Sequence, residues 1–250
     1  MLFARSRWAG RYTSRMPELR DRMIVALDVP SASQARALVS RIGEAASFYK
    51  VGKQLFTAEG PQVVRDLVSS GRRVFLDLKF HDIPNTVGSA VASAIGLGVT
   101  MLTVHASGGS GMLKAAAEAA RGSQTTVLAV TVLTSLGEPD LAETGLSSTV
   151  EQQVLRLGRL AIDSGCGGVV ASAHEARQIR SQIAGDFAVV TPGVRPSGAA
   201  KGDQARVVTP REAFEAGATH IVVGRPITAA ADPAQAARVI LDEIATAKLR

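Results

Sequence analysis

The feature that most limits what this 250-residue chain can fold into is a unit that repeats eight times. A short apolar run rich in Val, Ile and Leu is followed each time by a polar–apolar stretch with helical spacing. The runs are MIVALDV (23–29), FYKVGK (48–53), RVFLDLK (73–79), MLTVHAS (101–107), TTVLAVTVL (125–133), GGVVAS (167–172), FAVVTPGV (187–194) and THIVVGR (219–225). The stretches between them include SASQARALVSRI (31–42), GPQVVRDLVSS (60–70) and PAQAARVILDEIATA (233–247). Apolar residues recur in them at three- and four-residue intervals, as in a helix with one buried face.

Strands that alternate with helices imply a parallel sheet with the helices packed outside it. Eight such units in a chain of this size predict an α/β fold, a TIM (β/α)8 barrel, as one catalytic domain over residues 23–250. The other arrangement with this alternation is an open, doubly wound sheet. Its glycine-rich dinucleotide fingerprint is missing after the first run, where ALDVPSAS stands instead. No linker or low-complexity segment divides the chain.

Composition narrows the class further. With 46% hydrophobic and 20% charged residues the chain reads as soluble and globular. It has no run of about 18 apolar residues, so no membrane span is expected. Its one cysteine, Cys166, allows no intrachain disulfide and no cysteine-based metal site, which fits a reducing compartment such as the cytoplasm. Of the net charge of +6, residues 1–22 contribute +4, from six arginines against Glu18 and Asp21. The body has no basic stripe with interleaved aromatics, so a nucleic-acid partner is not expected. The segment 1–22 reads as a basic, disordered N-terminal extension. Its Arg-rich, acid-poor start also resembles an organelle transit peptide, but it lacks the apolar core of a secretory signal.

Side chains alternate faces along a strand. In RVFLDLK, Val74, Leu76 and Leu78 then face the helices, while Phe75, Asp77 and Lys79 face the barrel interior. By the same parity Val25, Leu27, Val29, Tyr49 and Val51 face outward, and Asp28 and Lys50 face in. Lys53 falls on the other face, and Thr103 and His105 can both face in. The inward polar residues lie at the C-terminal ends of their runs, where barrel active sites are built. A lone buried charge tends to neutralise. Lys50, Asp77, Lys79 and Asp82 could form an alternating set of zero net charge that stays ionised in a confined site. Such a set is either a structural ion-pair network or catalytic, and its place at a barrel mouth favours catalysis. His81 reads more simply as a structural hydrogen-bonding residue.

A second cluster lies late in the chain, in TPGVRPSGAAKGDQARVVTP (191–210) and VVGRPIT (222–228). Loops after the seventh and eighth barrel strands commonly bind phosphate. Gly224 lets a backbone N–H approach an anion, Arg195 and Arg225 can add forked charge-assisted bonds, and Gln204 can add a neutral donor. Thr134 and Ser135, at the end of the fifth run, could read the polar edge of a flat ring, or serve equally as a cap or turn former. Residues 134–148 form a long loop that could act as a lid.

FLDLKFHDIPNT (75–86), with VALDV, YKVGKQLF, TVHASGG, AVTVLTSL, TPGVRP, GDQARVVTP and VVGRPIT, resembles the signature of the orotidine 5′-phosphate decarboxylase family, in its stand-alone bacterial form. The resemblance covers residues 23–246. The D-x-K-x-x-D core is shared with keto-gulonate-phosphate decarboxylase and hexulose-phosphate synthase, but the FHDIPNT continuation and the Gln204 loop separate this chain from them.

The resemblance implies decarboxylation of orotidine 5′-phosphate to UMP in pyrimidine biosynthesis, by a homodimer without metal or organic cofactor. It implies Lys79 as proton donor, with Lys50, Asp77 and Asp82 completing the charge network. Asp28 and Lys50 would hold the ribose hydroxyls, and Thr134 and Ser135 would face the pyrimidine. Arg195, Gln204, Gly224 and Arg225 would take the phosphate. Asp82 and Thr86 would reach the partner's site. A metal-dependent sugar-phosphate enzyme, a non-catalytic phosphate binder and a tail-borne nucleic-acid binder are the competing readings.

Overall fold

The computed structural model describes residues 19–197 and 208–247. Eight strands pair in sequence order, all parallel, and the first closes on the last. They are β1 (Met23–Ala26), β2 (Phe48–Gly52), β3 (Arg73–Phe80), β4 (Met101–His105), β5 (Thr126–Val130), β6 (Gly168–Val170), β7 (Ala188–Thr191) and β8 (His220–Val223). Helices lie between consecutive strands and after the last, so the expected (β/α)8 barrel is the fold, and no open edge remains.

Local chemistry accounts for the helices. Ala32–Ile42 starts on Ser31, whose hydroxyl accepts from Gln34 N–H, and buries Ala35, Leu38 and Ile42 on one face. It stops at Gly43, which takes a φ of 58° that a side chain would disfavour. Val150–Asp163 opens with a reciprocal capping box between Thr149 and Gln152, and Pro210–Glu215 with one between Thr209 and Glu212.

The alternation of strand residues builds two apolar layers. Ile24, Ala26, Phe48, Phe75, Met101, Leu128, Ala188, Val190 and Val222 fill the barrel interior. Val25, Leu27, Tyr49, Val51, Val74, Leu76, Leu102, Val104, Val189 and Ile221 pack outward against the helices. Truncating Phe75, 2% exposed, would cost about 3–5 kcal/mol in lost contacts and cavity. Gly168 is small because the barrel is tight there. A Cβ would stand 2.4 Å from the Ala188 carbonyl and 2.8 Å from a Leu128 methyl.

The strands differ in detail from the apolar runs. β1 ends at Ala26, although Leu27 N–H still bonds the Lys50 carbonyl at 2.9 Å. Lys53 is not a strand residue but opens the helix Lys53–Glu59. The stretch read as one long loop after β5 contains the helix Glu138–Glu143. Of the basic extension, residues 1–18 lie outside the described residues, and Leu19–Arg22 forms one helical turn. Asp21 fastens this turn under the barrel, accepting from Ser47 Oγ at 2.7 Å and pairing with Arg73 at 3.1 Å.

Candidate active site

The polar residues that alternation turns inward converge at the C-terminal mouth of the barrel. Asp28, just beyond β1, meets Lys50 of β2 at 2.9 Å. Lys50 Nζ lies 3.7 Å from Asp77 Oδ2, and Asp77 Oδ1 accepts from Lys79 Nζ at 2.7 Å. The order is minus, plus, minus, plus. Each charge therefore has an opposite neighbour although the side chains of Lys50 and Asp77 are only 11% and 13% exposed. Burial alone would raise the Asp77 carboxyl. The charges of Lys50 and Lys79, with hydrogen bonds from Lys79 and Thr103, outweigh it and hold the carboxyl below the usual range.

Asp77 and Lys79 share a face as expected, but not through a regular strand. Leu76 pairs with Leu102, and the next partners are Phe80 and Val104, so β3 carries two extra residues at this point. Lys79 sits in that bulge with a φ of 55°, the only left-handed non-glycine residue among those described. Its N–H donates to Thr103 Oγ1 at 2.9 Å, and the Thr103 hydroxyl donates to Asp77 Oδ1 at 3.0 Å. Sequence reasoning turned Thr103 inward but gave it no role. Beside the bulge, the His81 and His105 rings lie 5.4 Å apart. Burial, then the charges of His81, Lys79 and Lys53, lower the His105 pKa, so no further cation is favoured beside Lys79.

A cavity of about 260 Å³ opens over this pair. Lys50, Asp77, Lys79, Thr134, Ser135 and Pro192 are among the residues that line it, with Phe75, Val130, Val170 and Val222 as apolar floor. It is the size of a small planar ring with its substituents, apolar below and charged on one side. Thr134 and Ser135 reach it from the loop, four and five residues past the end of β5.

Arg195 and Gly224 follow β7 and β8, and Arg225 opens the short helix Arg225–Thr228. Arg195 is 8% exposed, while Arg225 is exposed. Burial, and after it the positive charge of Arg225, lowers the Arg195 pKa. Two guanidinium groups that feel each other's charge favour a shared anion. Among the described residues a Cβ on Gly224 would meet only Ala26, at an ordinary 3.7 Å. Gln204 lies outside the described residues.

Asp82 and Thr86 are not brought into this cluster. Both are exposed, and the Asp82 carboxylate accepts from Ile83 N–H at 2.6 Å. Within one chain the network is thus Asp28, Lys50, Asp77 and Lys79, without Asp82. The described residues contain no group of three His, Cys, Asp or Glu side chains that could hold a metal ion, and no helix long and apolar enough to cross a membrane.

Residues 21–240 match the model of the orotidine 5′-phosphate decarboxylase / HUMPS family. The chain is 51% identical over 237 residues to an orotidine 5′-phosphate decarboxylase of Moorella thermoacetica, which covers 92% of this chain and 94% of that one. It is 51% identical over 228 residues to that of Afipia carboxidovorans, covering 91% and 96%. The crystal structure of orotidine 5′-phosphate decarboxylase from Lactobacillus acidophilus superimposes with a TM-score of 0.80 at 40% identity, over 89% of this chain and 98% of that one.

Proposed function

The chain belongs to the orotidine 5′-phosphate decarboxylase / HUMPS family, and from that premise we propose that it decarboxylates orotidine 5′-phosphate to UMP in pyrimidine biosynthesis. The observation that carries this reading is the Lys79–Asp77 pair, 2.7 Å apart, opening into a ring-sized cavity.

The chemistry asks for such a pair. The C6–carboxylate bond breaks, CO₂ leaves, and the electron pair stays on C6 with little resonance relief. An ammonium aimed at C6 stabilises that charge as it develops and then gives C6 its proton, leaving a neutral amine that solvent reprotonates. Lys79 has this role. Asp77 fixes the ammonium, and Lys50 neutralises the other Asp77 oxygen. In this reading Asp28 and Lys50 take the ribose hydroxyls, and Thr134 and Ser135 face the pyrimidine. Arg195, Gly224, Arg225 and Gln204 take the phosphate. Phosphate binding energy, realised far from C6, helps organise the mouth around the ring.

The reading extends to the assembly. Asp82 and Thr86 project away from their own charge cluster and supply a partner's site in a cytoplasmic homodimer. The catalytic cations are lysines, so turnover needs no metal or organic cofactor.

Purified protein incubated with orotidine 5′-phosphate should change the pyrimidine absorbance and yield UMP, before and after exhaustive chelation. Activity lost on chelation and restored by Mg²⁺ would point to the sugar-phosphate chemistry of related barrels. Nucleotide binding without turnover would point to a non-catalytic binder.

A further inference from the structure

Three contacts around the bulge in β3 close a ring. Lys79 N–H donates to Thr103 Oγ1, the Thr103 hydroxyl donates to Asp77 Oδ1, and Lys79 Nζ donates to the same Oδ1. Both ends of the Lys79 residue, main-chain nitrogen and ammonium, are thereby referred to one carboxylate oxygen. Thr103 is 1% exposed, so water cannot replace its hydroxyl in either bond. The hydroxyl has one proton to give and a lone pair to receive with, and here it uses both.

We propose that Thr103 is a positioning residue for the decarboxylation. Its hydroxyl latches the left-handed backbone of Lys79 and orients the Asp77 carboxylate, so that the ammonium is aimed before substrate arrives. Two features require such a latch. A φ of 55° at a lysine is held only where surroundings over-determine it. The register shift between Leu76 and Phe80 also breaks the regular pairing of the strand that carries the proton donor. Thr103, on β4 opposite the bulge, takes the N–H in that gap. Valine keeps the shape of this side chain and removes both bonds; serine keeps both bonds and removes a methyl.

The kinetic part rests on the function proposed above, so it is paired with a structural part that does not. Thr103→Val should lower kcat about tenfold to hundredfold, with KM changed by no more than about threefold, because aim matters most in the transition state. Thr103→Ser should stay within about threefold of wild type, since it restores both hydrogen bonds. The acid limb of the kcat–pH profile should move to higher pH in Thr103→Val, because Asp77 loses a donor to its charged form. A crystal structure of Thr103→Val should show Lys79 out of the left-handed region or its Nζ parted from Asp77. If Thr103→Val does not fold, Thr103→Ala removes the hydroxyl without adding a methyl and takes its place. Wild-type kcat and acid limb in the hydroxyl-less variant would overturn the proposal. So would equal loss in Thr103→Ser, or unchanged Lys79 geometry in the crystal. Wild-type protein inert toward orotidine 5′-phosphate would instead sink the proposed function, and the crystal structure would still decide the latch.

Discussion

Lys79 Nζ stands 2.7 Å from Asp77 Oδ1, two residues back on the same strand. The two side chains are 24% and 13% exposed, so their interaction is screened less than a surface pair. Asp77, held ionised, accepts from the Lys79 side chain and so fixes it beside the cavity.

That pair leads to the first expected outcome. Lys79→Ala should lower kcat by at least about a thousandfold, because the ammonium acts on charge that exists mainly in the transition state. UMP, which lacks the carboxylate, should bind the variant within a few-fold of wild type, as titration would measure. Near-normal kcat in the folded variant would remove Lys79 from the donor role.

The second concerns the phosphate. Arg225 is exposed, and Arg195 is buried, so Arg225 is the one whose removal costs less packing. Losing one charge-assisted contact of about 1.5–3 kcal/mol should cut kcat/KM by about tenfold to hundredfold. Part of that loss should appear in kcat, because remote binding energy organises the mouth. Orotidine without phosphate should be turned over equally slowly by wild type and Arg225→Ala. If orotidine matches the nucleotide in wild type, the two arginines do not form the phosphate site.

The third is a stability effect at the other end of the barrel. His220 is fully buried, with its ring edge-on to Phe48 and Nδ1 2.9 Å from Thr219 Oγ1. Burial, then the charges of Arg73 and Arg22, push its pKa down to about 3, with Asp21 opposing. The folded state therefore holds a neutral ring, while the unfolded chain protonates it below about 6.5. The stability linked to His220 is complete above the unfolded value and is lost as pH falls from about 6.5 toward 3. Between pH 7.5 and 5.5 this amounts to about 1.4 kcal/mol. Urea unfolding at the two pH values should show wild type losing that much more than His220→Asn. Equal losses would mean that the ring titrates normally.

Much of this was legible in the residues. Strict alternation placed Phe75 in the interior and Val74 and Leu76 outside, and it brought Asp28, Lys50, Asp77 and Lys79 to one mouth. Parity works because closed parallel strands leave each side chain only two environments. The bulge was not legible. Two extra residues between Leu76 and Phe80 leave no mark in composition, and neither the φ of Lys79 nor the bond to Thr103 follows without them. The helix Glu138–Glu143 did leave a mark. Gly137, Pro139 and Asp140, whose carboxylate accepts from Gly137 N–H, form a readable helix start. Asp82 was grouped with the network by spacing and by the family resemblance, and within one chain the turn into Pro84–Ile95 leaves it exposed, outside that network.

That outward turn gives the last expected outcome. Asp82, Thr86 and Ile83 are all exposed, Ile83 with 66% of its surface accessible, so this turn is free to meet another chain. If Asp82 completes the partner's site across a two-fold interface, the two lesions Lys79→Ala and Asp82→Ala fall in the same site of a mixed dimer. Unfolding the two inactive proteins together and refolding them in equal amounts makes about half the dimers mixed, by random pairing. In each mixed dimer one site carries both changes and the other carries neither. One native site in about half the dimers restores roughly a quarter of wild-type activity. If Asp82 serves its own chain, every site keeps one lesion and nothing is recovered. Mixed dimers, tagged on each partner and isolated, that show no more activity than their parents would refute the shared site.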